Sequence, residues 1–126
     1  MPWLYKLGFD VALFTLPFHG VRQSQGRSGA PPFPSNDPRV TIEGFGQAIA
    51  DLTDLVSLMK RTRSQPIGIL GMSLGGYTTS LAATVLEDLA FAVPMIPLAS
   101  MADFARDQGR LGRSGCLLYT SPSPRD

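Results

Sequence analysis

Gly71-Met72-Ser73-Leu74-Gly75 sets a serine midway between two glycines. A serine hydroxyl is a weak nucleophile until a base takes its proton, and it attacks acyl groups when held clear of its own backbone. The surroundings suit that task. An apolar run, Pro66 to Leu70, leads in, and Tyr77 to Leu86, with few helix breakers, leads out. A serine on a sharp strand-to-helix turn projects its Oγ into the open. Gly71 and Gly75 are expected where a Cβ would crowd the turn and its neighbours, and Gly76 extends the small-residue zone. The Leu74 N–H falls at the helix N-terminus, lacks an intrahelical acceptor, and can point at an oxyanion. The string alone is common by chance, and the bland alternative for Ser73 is a structural turn serine. The strand-turn-helix context carries the chemical reading.

Other chemistries fit less well. A dinucleotide fingerprint needs a glycine where Ser73 stands, and a phosphate-binding loop needs a Gly-Lys-Ser/Thr triplet that the chain lacks. One cysteine in 126 residues excludes an internal disulfide framework and a multi-cysteine zinc site. No cofactor or metal is expected. The 11 Lys and Arg against 10 Asp and Glu leave no broad basic footprint for nucleic acid. The composition, 44% hydrophobic and 17% charged, is that of a globular chain. The most apolar N-terminal stretch, Met1 to Phe18, is interrupted by Lys6 and Asp10 and reads neither as a spanning helix nor as a signal peptide. With no address visible, the cytoplasm is the default compartment.

The elements that must position Ser73 follow from periodicity. Val11 to Leu16 is a short apolar run stopped by Pro17, suited to a strand buried on both faces. Gly20 to Arg39, rich in Gly, Pro, Ser and Gln, is a long loop. Arg22, Arg27 and Arg39 in it could meet an anionic substrate, though solvated loop charges are the more usual case. Ile42, Phe45, Ile49, Leu52, Val56 and Met59 recur at helical spacing, which predicts a helix over 41–63. Thr41 is a reasonable N-cap, with Asp37 its competitor, and Lys60, Arg61 and Arg63 suit the C-terminal end. Leu89 to Ile96 is a third apolar run, cut by Pro94. Strand, helix, strand, helix, strand predicts an α/β fold with a parallel sheet of about three strands and flanking helices.

On these residues the chain resembles the α/β-hydrolase superfamily, in an esterase- or peptidase-like branch. Gly8 to Gly20 resembles the fourth strand of that fold with its loop. Residues 41–63 resemble the next helix, Pro66 to Gly76 the fifth strand with its nucleophile elbow, and Leu89 to Ser100 the sixth strand. The resemblance makes residues 1–115 an incomplete α/β-hydrolase domain. It implies a serine hydrolase that cleaves an ester, thioester or amide through an acyl-enzyme on Ser73, with Leu74 N–H as half of an oxyanion hole. The substrate would be a small-molecule or peptide acyl compound, with no nucleic-acid or membrane partner. The family's base and acid come later in the chain, so both are expected beyond residue 115, and the second oxyanion donor before residue 1. His19, the only histidine, precedes Ser73 and is expected as a hydrogen-bonded loop residue near the pocket mouth. Asp103 is expected as a cap or solvated carboxylate rather than the acid. The family's third strand lies between its fourth and fifth. Here it must leave a slot or be bypassed by direct pairing, whereas Ile67–Leu70 and Phe91–Ile96 must be adjacent and parallel. An acyltransferase on the same fold and a non-catalytic binding protein are the rival classes.

Residues 116–126 have a different origin. One permitted back-translation matches, at all eleven residues, a transposase adapter used in short-read library preparation. The expectation is read-through of that adapter rather than natural protein.

Overall fold

The computed structural model describes residues 2–23, 26, 31–35, 37–97, 100 and 103. Residues 116–126, Arg27 and the adapter reading therefore lie outside the described residues. Five regular elements follow in chain order: α1 (Pro2–Lys6), α2 (Pro38–Thr62), β1 (Gly68–Met72), α3 (Leu74–Val85) and β2 (Phe91–Met95). A single 3-10 turn, Gly20–Arg22, lies between α1 and α2. The architecture is α/β, with a parallel sheet.

The long helix starts earlier than its apolar stripe suggests. Asp37 is the N-cap: its carboxylate accepts from Arg39 N–H at 2.9 Å, and Pro38 takes a first-turn position where no N–H is needed. Thr41 is already helical, and its Oγ1 accepts from Ser35 N–H at 2.9 Å and donates to Ser35 carbonyl at 3.1 Å. Asp37→Ala should cost about 1 kcal/mol of stability, read as a lowered midpoint in chemical denaturation. The buried line along α2 is Gly44, Phe45, Ala48, Leu52 and Val56. Ile42 was expected on it and is 70% exposed, because it sits one residue, about 100°, round from Thr41, which faces the loop. Ala48 completes the line; a small side chain adds little to an apolar pattern.

Phe33 carries the long loop into the core. It is fully buried, with its ring edge-on to Phe45 at 4.8 Å, and Phe45 meets Tyr77 of α3 at 4.9 Å. Arg22 ties the same loop to α2. Its guanidinium donates to Asp51 at 2.5 Å and to Thr15 carbonyl at 3.0 Å, and lies over the Phe14 ring. Arg22 is thus a loop staple. Arg39 is exposed beside Asp37.

The sheet has two strands among the described residues, not three. β1 and β2 are adjacent and parallel, with Gly68 opposite Phe91, Leu70 opposite Val93 and Met72 opposite Met95. That is the pairing expected of these runs. α3 packs on both strands and α2 packs on α3. β2 continues through Pro94, although that residue brings no N–H to the ladder.

Val11 to Leu16 corrects the expectation of a buried strand. The segment forms no ladder, and Val11 and Leu13 are 45% and 82% exposed. A buried strand needs a neighbour within about 4.8 Å, and this segment pairs with none among the described residues. An open cavity of about 980 Å³ is lined by this segment and β1 together with residues of α1, α2 and α3. Leu13, Phe14, Leu52, Leu70, Met72 and Thr78 are among its lining residues. The segment is not paired with β1 among the described residues.

Candidate active site

Ser73 stands between the last residue of β1 and the first of α3. Its backbone is at φ 55° and ψ −116°, outside the wells that ordinary residues occupy. A non-glycine residue held there costs about 1–3 kcal/mol, so the surroundings must fix it. Two backbone bonds do so. Ser73 N–H donates to the Met95 carbonyl at 3.0 Å, and Ser73 carbonyl accepts from Tyr77 N–H at 2.9 Å. Its side chain makes no capping bond and the residue is exposed, which leaves Oγ available to an incoming group.

The tightness of the turn comes from Gly71. A Cβ on Gly71 would lie 2.2 Å from Gly75 carbonyl oxygen and 2.6 Å from Thr79 Oγ1. This close approach lets α3 start directly over the end of β1. Gly76 is similarly pinned, with 2.6 Å between a notional Cβ and the Met95 carbonyl oxygen. Gly75 is the correction: a Cβ there meets nothing within 4 Å. It lines the open cavity, so the crowding expected at this glycine has no neighbour to produce it.

Leu74 is the first residue of α3, and the first intrahelical bond is made by Tyr77. The N–H groups of Leu74, Gly75 and Gly76 therefore have no intrahelical acceptor. The helix end and the free hydroxyl of Ser73 occupy one corner, whose unpaired N–H groups can receive an anionic oxygen.

The other candidates stand elsewhere. His19 Nδ1–H donates to Pro17 carbonyl at 2.8 Å, and its ring sits edge-on to Phe33 at 6.0 Å. It is half-buried, is not among the residues lining the cavity, and no hydrogen bond joins it to Ser73 among the described residues. His19 is the hydrogen-bonded loop residue anticipated, without the place at a pocket mouth. Asp103 is exposed, and its N–H donates to Ser100 Oγ at 3.1 Å. No group of three His, Cys, Asp or Glu side chains gathers in a metal-binding arrangement among the described residues. None of the helices there is long and apolar enough to cross a membrane. The contact to Ser73 that residue patterns missed is the Met95 carbonyl. It reaches Ser73 from the neighbouring strand, and a backbone acceptor leaves no mark in a side-chain motif.

Comparison with known proteins gives few relatives. No protein-family model matches the chain, and no solved structure matches it. An uncharacterized protein of Mycobacterium tuberculosis, from strain CDC 1551 / Oshkosh, is 34% identical over 118 residues, 93% of this chain. Its counterpart in strain H37Rv matches to the same extent. The chain spans about a quarter (27%) of the length of these curated relatives.

Proposed function

We propose that the protein to which this chain belongs is a serine hydrolase of the α/β-hydrolase type, with Ser73 as nucleophile. One observation carries the reading: an exposed serine held at φ 55° on a turn that joins a parallel strand directly to a helix. Strained backbone of this kind clusters at functional sites. The glycine-lined turn and the unpaired N–H groups at the start of α3 add support.

In this reading Ser73 Oγ attacks the acyl carbon of an ester, thioester or amide. The hydroxyl proton passes to a histidine supplied from beyond residue 115 and then to the leaving group. The carbonyl oxygen becomes an oxyanion and takes a hydrogen bond from Leu74 N–H. Water then cleaves the acyl-enzyme by the same route in reverse. A fluorophosphonate probe applied to the full-length protein should label Ser73, and Ser73→Ala should remove the label. Labelling that persists in the variant takes the nucleophile's role away from Ser73.

A further inference from the structure

A strained backbone persists only while its surroundings over-determine it. Ser73 has two hydrogen-bonded backbone partners, and one of them is Tyr77 N–H, a turn along α3, at 2.9 Å from Ser73 carbonyl. Tyr77 is itself held from outside α3. Its ring meets Phe45 of α2 at 4.9 Å, and Phe45 meets Phe33 edge-on at 4.8 Å. Both separations lie within the range that aromatic pairs prefer. Three rings thus run from the loop before α2, across α2, to the first turn of α3.

Several features seat Phe33. It is fully buried although it stands outside any helix or strand. His19 lies edge-on to it at 6.0 Å. A Cβ on Gly44 would lie 2.3 Å from its ring, so α2 carries a glycine, next to Phe45, where that ring enters. Glycine weakens a helix interior, and here it makes room for the ring. Beyond Phe33, Ser35 shares two hydrogen bonds with Thr41 Oγ1, which fixes the chain on that side as well.

The other end of the same loop is tied separately. Arg22 donates to Asp51 and to Thr15 carbonyl, and Gln47 Nε2–H donates to Asp51 at 2.6 Å. Asp51 lies roughly 9 Å along α2 from Phe45 by helical rise. The Arg22 guanidinium covers the ring of Phe14, which stands outside the row of three. The loop therefore has two tethers on α2. Among the described residues, only the one at Phe33 reaches α3 through ring contacts.

We propose that Phe33 is a positioning residue for Ser73, acting through Phe45 and Tyr77. A close-packed interior yields little and passes a displacement on. Shortening Phe33 opens a void against Phe45. Phe45 moves toward the void, the Tyr77 ring follows, and Tyr77 N–H draws away from Ser73 carbonyl. Ser73 then relaxes toward an ordinary φ, and its Oγ changes direction. The effect on reactivity rests on the reading of Ser73 as nucleophile; the effect on the backbone of the turn does not.

Amide exchange in residues 1–126 reads the backbone effect alone. In Phe33→Leu, Tyr77 N–H should exchange about tenfold faster relative to Val56 N–H, at a buried position of α2 that reports global opening. Arg22→Ala, which frees the other tether, should leave that ratio unchanged. Equal acceleration at Tyr77 and Val56 in Phe33→Leu overturns the proposal, because it marks lost stability alone. So does the same change of ratio in Arg22→Ala. If Phe33→Leu does not fold, Phe33→Met, whose longer side chain adapts to irregular gaps, gives the same comparison. In the full-length protein, the rate constant for fluorophosphonate labelling of Ser73 should fall about 10- to 100-fold in Phe33→Leu. A smaller folded fraction would lower the amount labelled and leave the rate constant as it was. Labelling of Phe33→Leu at the wild-type rate overturns the proposal. Absence of label from the wild-type protein removes the nucleophile's role from Ser73, and the exchange ratio then decides whether Phe33 positions the turn.

Discussion

Ser73→Ala in the full-length protein is expected to lower kcat on an activated ester by about 10⁴- to 10⁶-fold, with KM little changed. The size follows from what is removed. In the proposed mechanism there is no acyl-enzyme without the hydroxyl, and what remains is the residual catalysis of an oxyanion hole and binding, roughly 10³- to 10⁴-fold over water. KM stays because Ser73 Oγ holds nothing else: its side chain makes no bond in the resting protein, so its loss leaves the turn intact. Residues 1–126 alone give the complementary measurement. Their single histidine is engaged with Pro17 and Phe33, so they should show no turnover that Ser73→Ala abolishes. Robust Ser73-dependent turnover by that chain would identify a base within it.

The largest stability effect is expected at Gly71. Gly71→Ala should cost about 3 kcal/mol, because its Cβ would lie 2.2 Å from a backbone oxygen of α3. No side chain can swing away to relieve that contact; the helix itself must move off the sheet. Gly75→Ala, in the same motif, should be neutral or stabilising by up to about 1 kcal/mol in residues 1–126. It lies inside α3, meets nothing, and gains the helix propensity of alanine. Urea denaturation of the two variants side by side checks both. Similar losses at both positions would mean that the open space beside Gly75 closes in solution.

The motif and its elements could be read from residue types because they depend on near neighbours. The turn at Ser73 follows from glycines two residues away, and the pairing of β1 with β2 from two apolar runs bracketing a helix. Asp37 was visible as a competing cap. What could not be read depends on contacts distant in sequence. Val11 to Leu16 has the composition of a buried strand, but composition cannot supply the neighbour that would pair with it. Gly75 looked crowded because glycine often marks close approach, yet the approach at this turn is made at Gly71 and Gly76. Phe33, the most deeply buried aromatic, stands in a stretch of prolines and serines with no periodicity to betray it.

The bond from Ser73 N–H to the Met95 carbonyl has a consequence for how the protein tolerates change. A residue kept in a strained well returns to an easier one when its anchor slips, and the anchor here belongs to a different strand. A substitution that bends β2 near Met95 therefore alters the serine's backbone without touching it. Where Ser73 carries the proposed reaction, selection on that reaction also acts on the straightness of that strand. Positions around Pro94 and Met95 should accept fewer replacements than their exposure suggests. A library of variants sorted for activity would show depletion there.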